Sequence, residues 1–259
     1  LSGETANGSF PSLAVRTMAA IVSNAELGID YYDQYAMIRY WNTLGNRKTL
    51  SPEESVFSCA AKNAIDLAGD TNLDGAIDSS EAGLIIVFSG SGLAANTVSK
   101  YRPVSPILVV TASPEVARQT SCVFGQYSLL VDQLDDATVV LAEATEYACS
   151  IDLLTDDTAV VLVIGQSAPD ADEQPVMKVF RHNGGLAGAL LDTPAPPLGE
   201  AWHRVGTLTV RAAKISMHHI LHPAKESVIR GCKIFCTMGP KCWSEETLGH
   251  LLDAGLNVA

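Results

Sequence analysis

The sequence predicts an α/β fold, an open and mostly parallel sheet with helices on both of its faces. Three short segments are continuously apolar and rich in β-branched residues, as strands covered on both faces are: 84–88, 107–110 and 159–164. Helical stretches follow or separate them at about 94–101, 115–124 and 138–150. Because strand and helix alternate, we expect right-handed crossovers, with ligands bound outside the carboxyl ends of the strands.

Two helices are predicted ahead of this sheet. Pro11 suits the first position of a helix, and apolar residues recur behind it on one face. The second helix covers about 52–67, with Ser51 as its N-cap and two glutamates in its first turn. The amphipathic face of the first helix requires a packing partner.

Composition and charge exclude several classes of protein. The chain has 259 residues, 47% of them hydrophobic, and 29 acidic against 17 basic residues give a net charge of -12. This charge repels phosphate backbones and anionic lipids, so we expect neither nucleic acid nor membrane as a partner. No apolar run reaches the length of a membrane span, and the six cysteines include no C-x-x-C pair. These features predict a cytoplasmic protein with reduced thiols.

The composition changes after residue 182. Residues 183–199 carry four glycines and three prolines, which predicts a linker, taken as 183–213. Beyond it, 232–237 reads as a strand, 238–240 as a turn, and Ser244 as the N-cap of a final helix. Such a βα unit is too small to enclose a core, so we expect the sequence to be cut from a longer protein.

Several motifs resemble the pyruvate kinase family. Residues 1–11 (LSGETANGSFP) are similar to the family segment LSGETAKGxYP, which ends the last strand of the catalytic barrel and opens its last helix. Residues 85–103, followed by ILVVT, resemble the first strand, loop, helix and second strand of the family's regulatory domain, and 176–180 its final strand. Residues 234–259 (IFCTMGPKCWSEETLGHLLDAGLNVA) resemble the opening strand and helix of the barrel.

The resemblance implies an unusual order of domains. The last helix of a TIM barrel would occupy 1–29 and the C-terminal regulatory α/β domain 30–182, with the linker at 183–213 and the start of a second barrel at 214–259. Both barrel pieces would be incomplete. The simplest account is a junction between two tandem pyruvate kinase copies.

The resemblance also implies an activity, phosphoryl transfer from phosphoenolpyruvate to ADP, giving pyruvate and ATP with Mg²⁺ and K⁺. The central catalytic residues of the family are absent, so we expect the isolated chain to be inactive. Family resemblance further implies a homo-oligomer, a tetramer. The residues at the nucleotide-binding rim of the barrel would be Ser2, Gly3, Glu4, Thr237, Gly239 and Pro240. Without the resemblance, Gly239-Pro240 would be read as a tight turn and Glu4 as a charge at a helix N-terminus.

A second candidate site follows the first strand of the sheet. Its hydroxyl- and glycine-rich loop precedes a helix N-terminus, which favours phosphate binding, and consists of Ser89, Gly90, Ser91 and Gly92. Relatives that bind a sugar bisphosphate there use a lysine and a serine where this sequence has Gly90 and Ala94. The spacing G-x-G-x-x-A also fits a dinucleotide site, but no acidic residue ends the next strand, which disfavours a nicotinamide cofactor.

One acidic segment departs from the family. Residues 70–81 match the twelve-position calcium loop, with ligand positions Asp70, Asn72, Asp74, Ala76, Asp78 and Glu81 and a glycine at the turn. The alternative is a polar, turn-prone insertion, because a strand rather than an exiting helix follows. The histidines near 218–222 lack an acidic third ligand, so no zinc site is assigned.

Two functions therefore remain open from the sequence. The first is a fragment of a pyruvate kinase phosphotransferase. The second is a non-catalytic α/β module that binds a phosphorylated metabolite effector or calcium.

Overall fold

The computed structural model describes residues 1–45, 48–68, 83–166, 168–182 and 230–258. Eight α-helices occur there: α1 Gly3–Asn7, α2 Pro11–Glu26, α3 Tyr31–Tyr40, α4 Pro52–Ala68, α5 Leu93–Lys100, α6 Pro114–Thr120, α7 Ala137–Ser150 and α8 Glu245–Asp253. A one-turn π-helix, Trp41–Gly45, continues α3. The five strands are β1 Leu84–Phe88, β2 Ile107–Thr111, β3 Gln126–Leu130, β4 Ala159–Gly165 and β5 Pro175–Arg181.

The five strands form one sheet in the order β3-β2-β1-β4-β5. The neighbours β3–β2, β2–β1 and β1–β4 pair in parallel, and only β5 runs antiparallel, beside β4. This confirms the predicted mostly parallel α/β sheet. The sequence prediction missed β3, which is less apolar than its neighbours and half-exposed along most of its length.

Helices cover both faces of the sheet because side chains alternate along each strand. In β1, Ile85 and Val87 face one core, to which α4 and α5 contribute Phe57, Ala64 and Val98. Tyr101, directly after α5, lies in the same core. The other residues of β1 face a second core, to which α7 contributes Leu141, Ala144 and Ala148. All five side chains of β1 are therefore fully buried.

The two ends of the described chain pack against each other. Val15 of α2 lies in a separate core with Leu251 of α8, together with Ile234, Cys236, Cys242, Ala254 and Leu256. The strand predicted at 232–237 is reduced to a single parallel bridge between Phe235 and Val258. A lone bridge fits a segment that has only one or two backbone partners. Among the described residues, no helix is long and apolar enough to cross a membrane.

Candidate functional site

The strand order places a crevice where the chain changes direction across the sheet. From β1 the chain crosses to β2 on one side, and it later returns from β3 to β4 on the other side. The carboxyl ends of β1 and β4 are therefore adjacent, which is the usual ligand position in open α/β sheets. The loops after these two strands meet there, and the Ala171 N–H donates to the Phe88 carbonyl at 2.8 Å.

The loop after β1 is the one that the sequence predicted to bind phosphate. Ser89 is fully buried, and its hydroxyl oxygen accepts the Gly92 N–H at 2.9 Å. Gly92 has a φ of 82°, in the left-handed region that favours glycine, and its carbonyl accepts the N–H of Asn96 to start α5. The backbone N–H groups ahead of α5 thus converge on the crevice.

Two carboxylates from the loop after β4 lie where these N–H groups meet. The Asp172 carboxylate accepts hydrogen bonds from the Ser89 hydroxyl at 2.7 Å, the Ser91 N–H at 2.7 Å and the Ala94 N–H at 2.8 Å. Asp170 accepts the Gly90 N–H at 3.2 Å and the Asp172 N–H at 3.0 Å. Sequence reasoning missed both aspartates, because about 80 residues separate them from the loop.

Asp172 is held in its charged form by these donors. Burial acts to raise the pKa of its carboxyl group, but the hydrogen bonds outweigh burial, so the pKa lies below its usual value. Its carboxylate is consequently ionised at neutral pH. The N-terminus of α5, which favours negative charge, adds to the same preference.

The predicted rim residues from the two ends of the chain lie side by side. The Thr237 N–H donates to the Leu1 carbonyl at 2.9 Å, and the Thr5 hydroxyl donates to the Thr237 carbonyl at 3.1 Å. A Cβ on Gly239 would lie 2.2 Å from the Ala6 carbonyl oxygen, so the turn requires a glycine. Ser2, Gly3, Glu4, Thr237 and Pro240 are exposed around this contact, whereas Gly239 is buried.

Glu4 has a structural role at this rim. Its carboxylate oxygen Oε1 accepts the Phe10 N–H at 2.6 Å, immediately before α2. The carboxylate also fills the space beside Gly8, where a Cβ would lie 2.1 Å from it. This geometry matches the alternative interpretation, a negative charge at a helix N-terminus.

Residues 230–233 connect the rim to the α/β sheet. The Glu26 carboxylate accepts the N–H groups of Gly231 at 2.8 Å and Cys232 at 2.6 Å. Lys233 donates to the Gln126 carbonyl at 2.6 Å, and its Nζ lies 4.5 Å from the centre of the Tyr127 ring. Burial is the main cause that lowers the pKa of Lys233 to about 8, and the nearby positive charge of Arg230 adds to the effect.

Other predicted features lie beyond the described residues. The calcium-loop positions at 70–81, the linker at 183–213 and the histidines near 218–222 all belong to segments that the structure does not describe. Within the described ranges, no group of three or more His, Cys, Asp or Glu residues is arranged to hold a metal ion. The calcium site stays a prediction.

The sheet and its crevice lie in a segment that matches a known protein family. The family described as "Pyruvate kinase, alpha/beta domain" matches residues 75–180, which include β1 to β4 and nearly all of β5. This chain carries the alpha/beta domain of the pyruvate kinase family. The match includes the loop after β1 and both aspartates of the loop after β4, so the crevice belongs to the pyruvate kinase domain itself.

Individual pyruvate kinases match over a longer stretch. The pyruvate kinase of Dictyostelium discoideum is 35% identical over 168 residues, 64% of this chain and 30% of its own length. That of Clostridium acetobutylicum is 34% identical over 64% of this chain and 31% of its length. A solved Cryptosporidium parvum pyruvate kinase in complex with ADP has a TM-score of 0.58 and 30% identity, covering 70% of this chain and 33% of that one. The chain thus spans about a third of the pyruvate kinases that it matches.

Proposed function

We propose that this chain is part of a pyruvate kinase phosphotransferase, which transfers a phosphoryl group from phosphoenolpyruvate to ADP and yields pyruvate and ATP in glycolysis. The contact between residues 1–8 and 235–241 carries the proposal. Two motifs of the barrel, LSGETA and CTMGP, resemble segments that adjoin in a closed barrel, and here the Thr5 hydroxyl donates to the Thr237 carbonyl at 3.1 Å. The family of the sheet supports the same function independently.

In the intact enzyme this rim would contact the nucleotide. Thr237 and Pro240 are exposed, and none of the described hydrogen bonds uses the Thr237 hydroxyl, which leaves it available to ADP. No group of three or more His, Cys, Asp or Glu residues in the described ranges is arranged to hold a metal ion, so Mg²⁺ and K⁺ would be held by other parts of the enzyme. The chain's share of catalysis would be to position the nucleotide.

Changing Thr237 to valine tests the nucleotide contact. Valine keeps the shape of threonine but lacks its hydroxyl, so in the full-length protein we expect the KM for ADP to rise about 3- to 10-fold, the range of one lost hydrogen bond. The KM for phosphoenolpyruvate should not change. Thr17→Val, on the exposed face of α2, is the matched control. An unchanged KM for ADP would show that the Thr237 hydroxyl does not contact the nucleotide.

The same assay separates the two candidate functions. In a coupled pyruvate assay we expect turnover from the full-length protein and none from the isolated chain. If the full-length protein is also inactive with phosphoenolpyruvate, ADP, Mg²⁺ and K⁺, the non-catalytic module is the correct function.

All six cysteines are free, which supports the proposal of a cytoplasmic protein.

A homo-oligomer, a tetramer by resemblance, is proposed from an uncovered apolar stripe on α3 and the π-helix. Its side chains are 51–74% exposed and follow helical spacing: Met37, Tyr40, Trp41 and Leu44. The opposite face of α3 packs on the core of the domain. We expect the double variant Met37→Ser/Leu44→Ser to shift the mass in multi-angle light scattering toward one chain, whereas Leu252→Ser on α8 should not. A wild-type chain that is monomeric at 100 μM, roughly the concentration such weak contacts need, would contradict the proposal.

A further inference from the structure

In the loop after β1, several donors bind the protein's own carboxylates. Four donors converge there: the Ser89 hydroxyl and the N–H groups of Gly90, Ser91 and Ala94. Three of them bind Asp172 at 2.7–2.8 Å, which is the length of charge-assisted hydrogen bonds. A phosphate group at a helix N-terminus would need these same donors.

We infer that Asp172, supported by Asp170, acts as a built-in anionic ligand that closes the loop after β1 against phosphorylated ligands. We call these two side chains the carboxylate latch. Both aspartates lie within the α/β domain and close the loop whether or not the full-length protein transfers phosphate.

Charge reinforces the latch. A ligand phosphate would have to displace the Asp172 carboxylate, and it would approach two negative charges only a few ångströms away. The carboxylate is also tethered, so it competes at a high effective concentration, whereas a free ligand must be supplied from solution. Because hydrogen bonds hold the pKa of Asp172 below its usual value, the latch stays charged at physiological pH.

The loop sequence accommodates the latch at Gly90. A Cβ at this position would lie 2.5 Å from the Asp170 carboxylate oxygen Oδ2, closer than real contacts allow. Any side chain at residue 90 would therefore displace Asp170. Asp170 can therefore hold its position only because residue 90 is a glycine.

The test compares inorganic phosphate binding by the whole chain and by the double variant Asp170→Ala/Asp172→Ala. We expect the melting temperature of the double variant to rise by about 3 °C between 0 and 20 mM phosphate, relative to sodium chloride of equal ionic strength. Wild type and Glu173→Ala, which removes an exposed charge from the same loop, should show no such rise. Equal rises in wild type and double variant would overturn the inference, and so would the absence of a rise in the double variant.

A second measurement covers the case in which the double variant does not fold. In amide NMR spectra of the wild type, the Ser91 and Ala94 signals should move together in acid, with a midpoint below the usual pKa of aspartate. The single variant Asp172→Asn should abolish this titration and keep the other signals in place. If both amides titrate as in the wild type after this substitution, Asp172 does not occupy the loop.

Discussion

Replacing Glu26 with alanine is expected to lower the free energy of unfolding by about 2–4 kcal/mol, because two partly buried N–H groups lose their acceptor. Glu26 is only 7% exposed, and its two carboxylate oxygens accept the N–H groups of Gly231 and Cys232 at 2.8 and 2.6 Å. The loss should concentrate at the contact between α2 and residues 230–233. Urea denaturation of the chain measures the free energy, and hydrogen exchange at these two amides locates it.

The control for this prediction is Glu26→Gln. Glutamine retains one oxygen acceptor of similar reach, so it should cost less than alanine and leave one amide protected. Burial, and after it the hydrogen bond and charge of Glu26, raises the pKa of the Cys232 thiol to about 11. Both variants should therefore make this thiol more reactive toward iodoacetamide near neutral pH. Equal unfolding free energies for wild type and Glu26→Ala would show that this contact contributes nothing to stability.

The substitution Gly239→Ala is expected to separate residues 1–8 from residues 235–241, the two halves of the proposed nucleotide rim. The added Cβ would lie 2.2 Å from the Ala6 carbonyl oxygen and 2.8 Å from its Cα, and backbone atoms cannot rotate away as a flexible side chain would. We expect a loss of about 1–3 kcal/mol in the free energy of unfolding. The hydrogen bond from the Lys241 N–H to the Ala6 carbonyl, 3.3 Å long, should break as well.

Gly249 provides a matched control for this steric argument. It lies within α8, and a Cβ there would meet no atom within 4 Å. Gly249→Ala should therefore stabilise the chain by about 0.5–1 kcal/mol through helix propensity. Thermal melts of the two variants should thus move in opposite directions. If both glycine variants melt above the wild type, the close contact at Ala6 does not exist in solution.

The sequence predicted those parts of the fold that local patterns encode. Uniformly apolar segments such as 84–88 gave β1, β2 and β4, and prolines and serines marked the starts of α2, α6 and α8. The edge strand β3 was missed because Leu130 is 50% exposed and the segment lacks the apolar continuity of a covered strand. Residues 232–237 have the apolar pattern of a strand, but only Phe235 pairs, with Val258. The strand was predicted there because the pattern does not show how many neighbouring segments are available for pairing.

Only one side of the crevice could be predicted from the sequence. The donor side of the crevice was predictable, because serines and glycines between a strand and a helix form a local motif. The acceptor side was not, since Asp170 and Asp172 come near Ser89 only through the pairing of β4 with β1. Long-range pairing of this kind has no signature in the residues around either partner.

Gln126 is bound from two directions at once. Its side-chain amide donates to Asn96 on α5 at 3.1 Å, while its carbonyl accepts Lys233 at 2.6 Å, a few residues before the Met238–Pro240 turn. Ser99, also on α5, donates to the neighbouring Phe124 carbonyl at 2.6 Å. A rigid helix cannot slide while the hydrogen bonds of Asn96 and Ser99 hold, so opening the crevice at the start of α5 would also displace residues 124–126, to which Lys233 is bound.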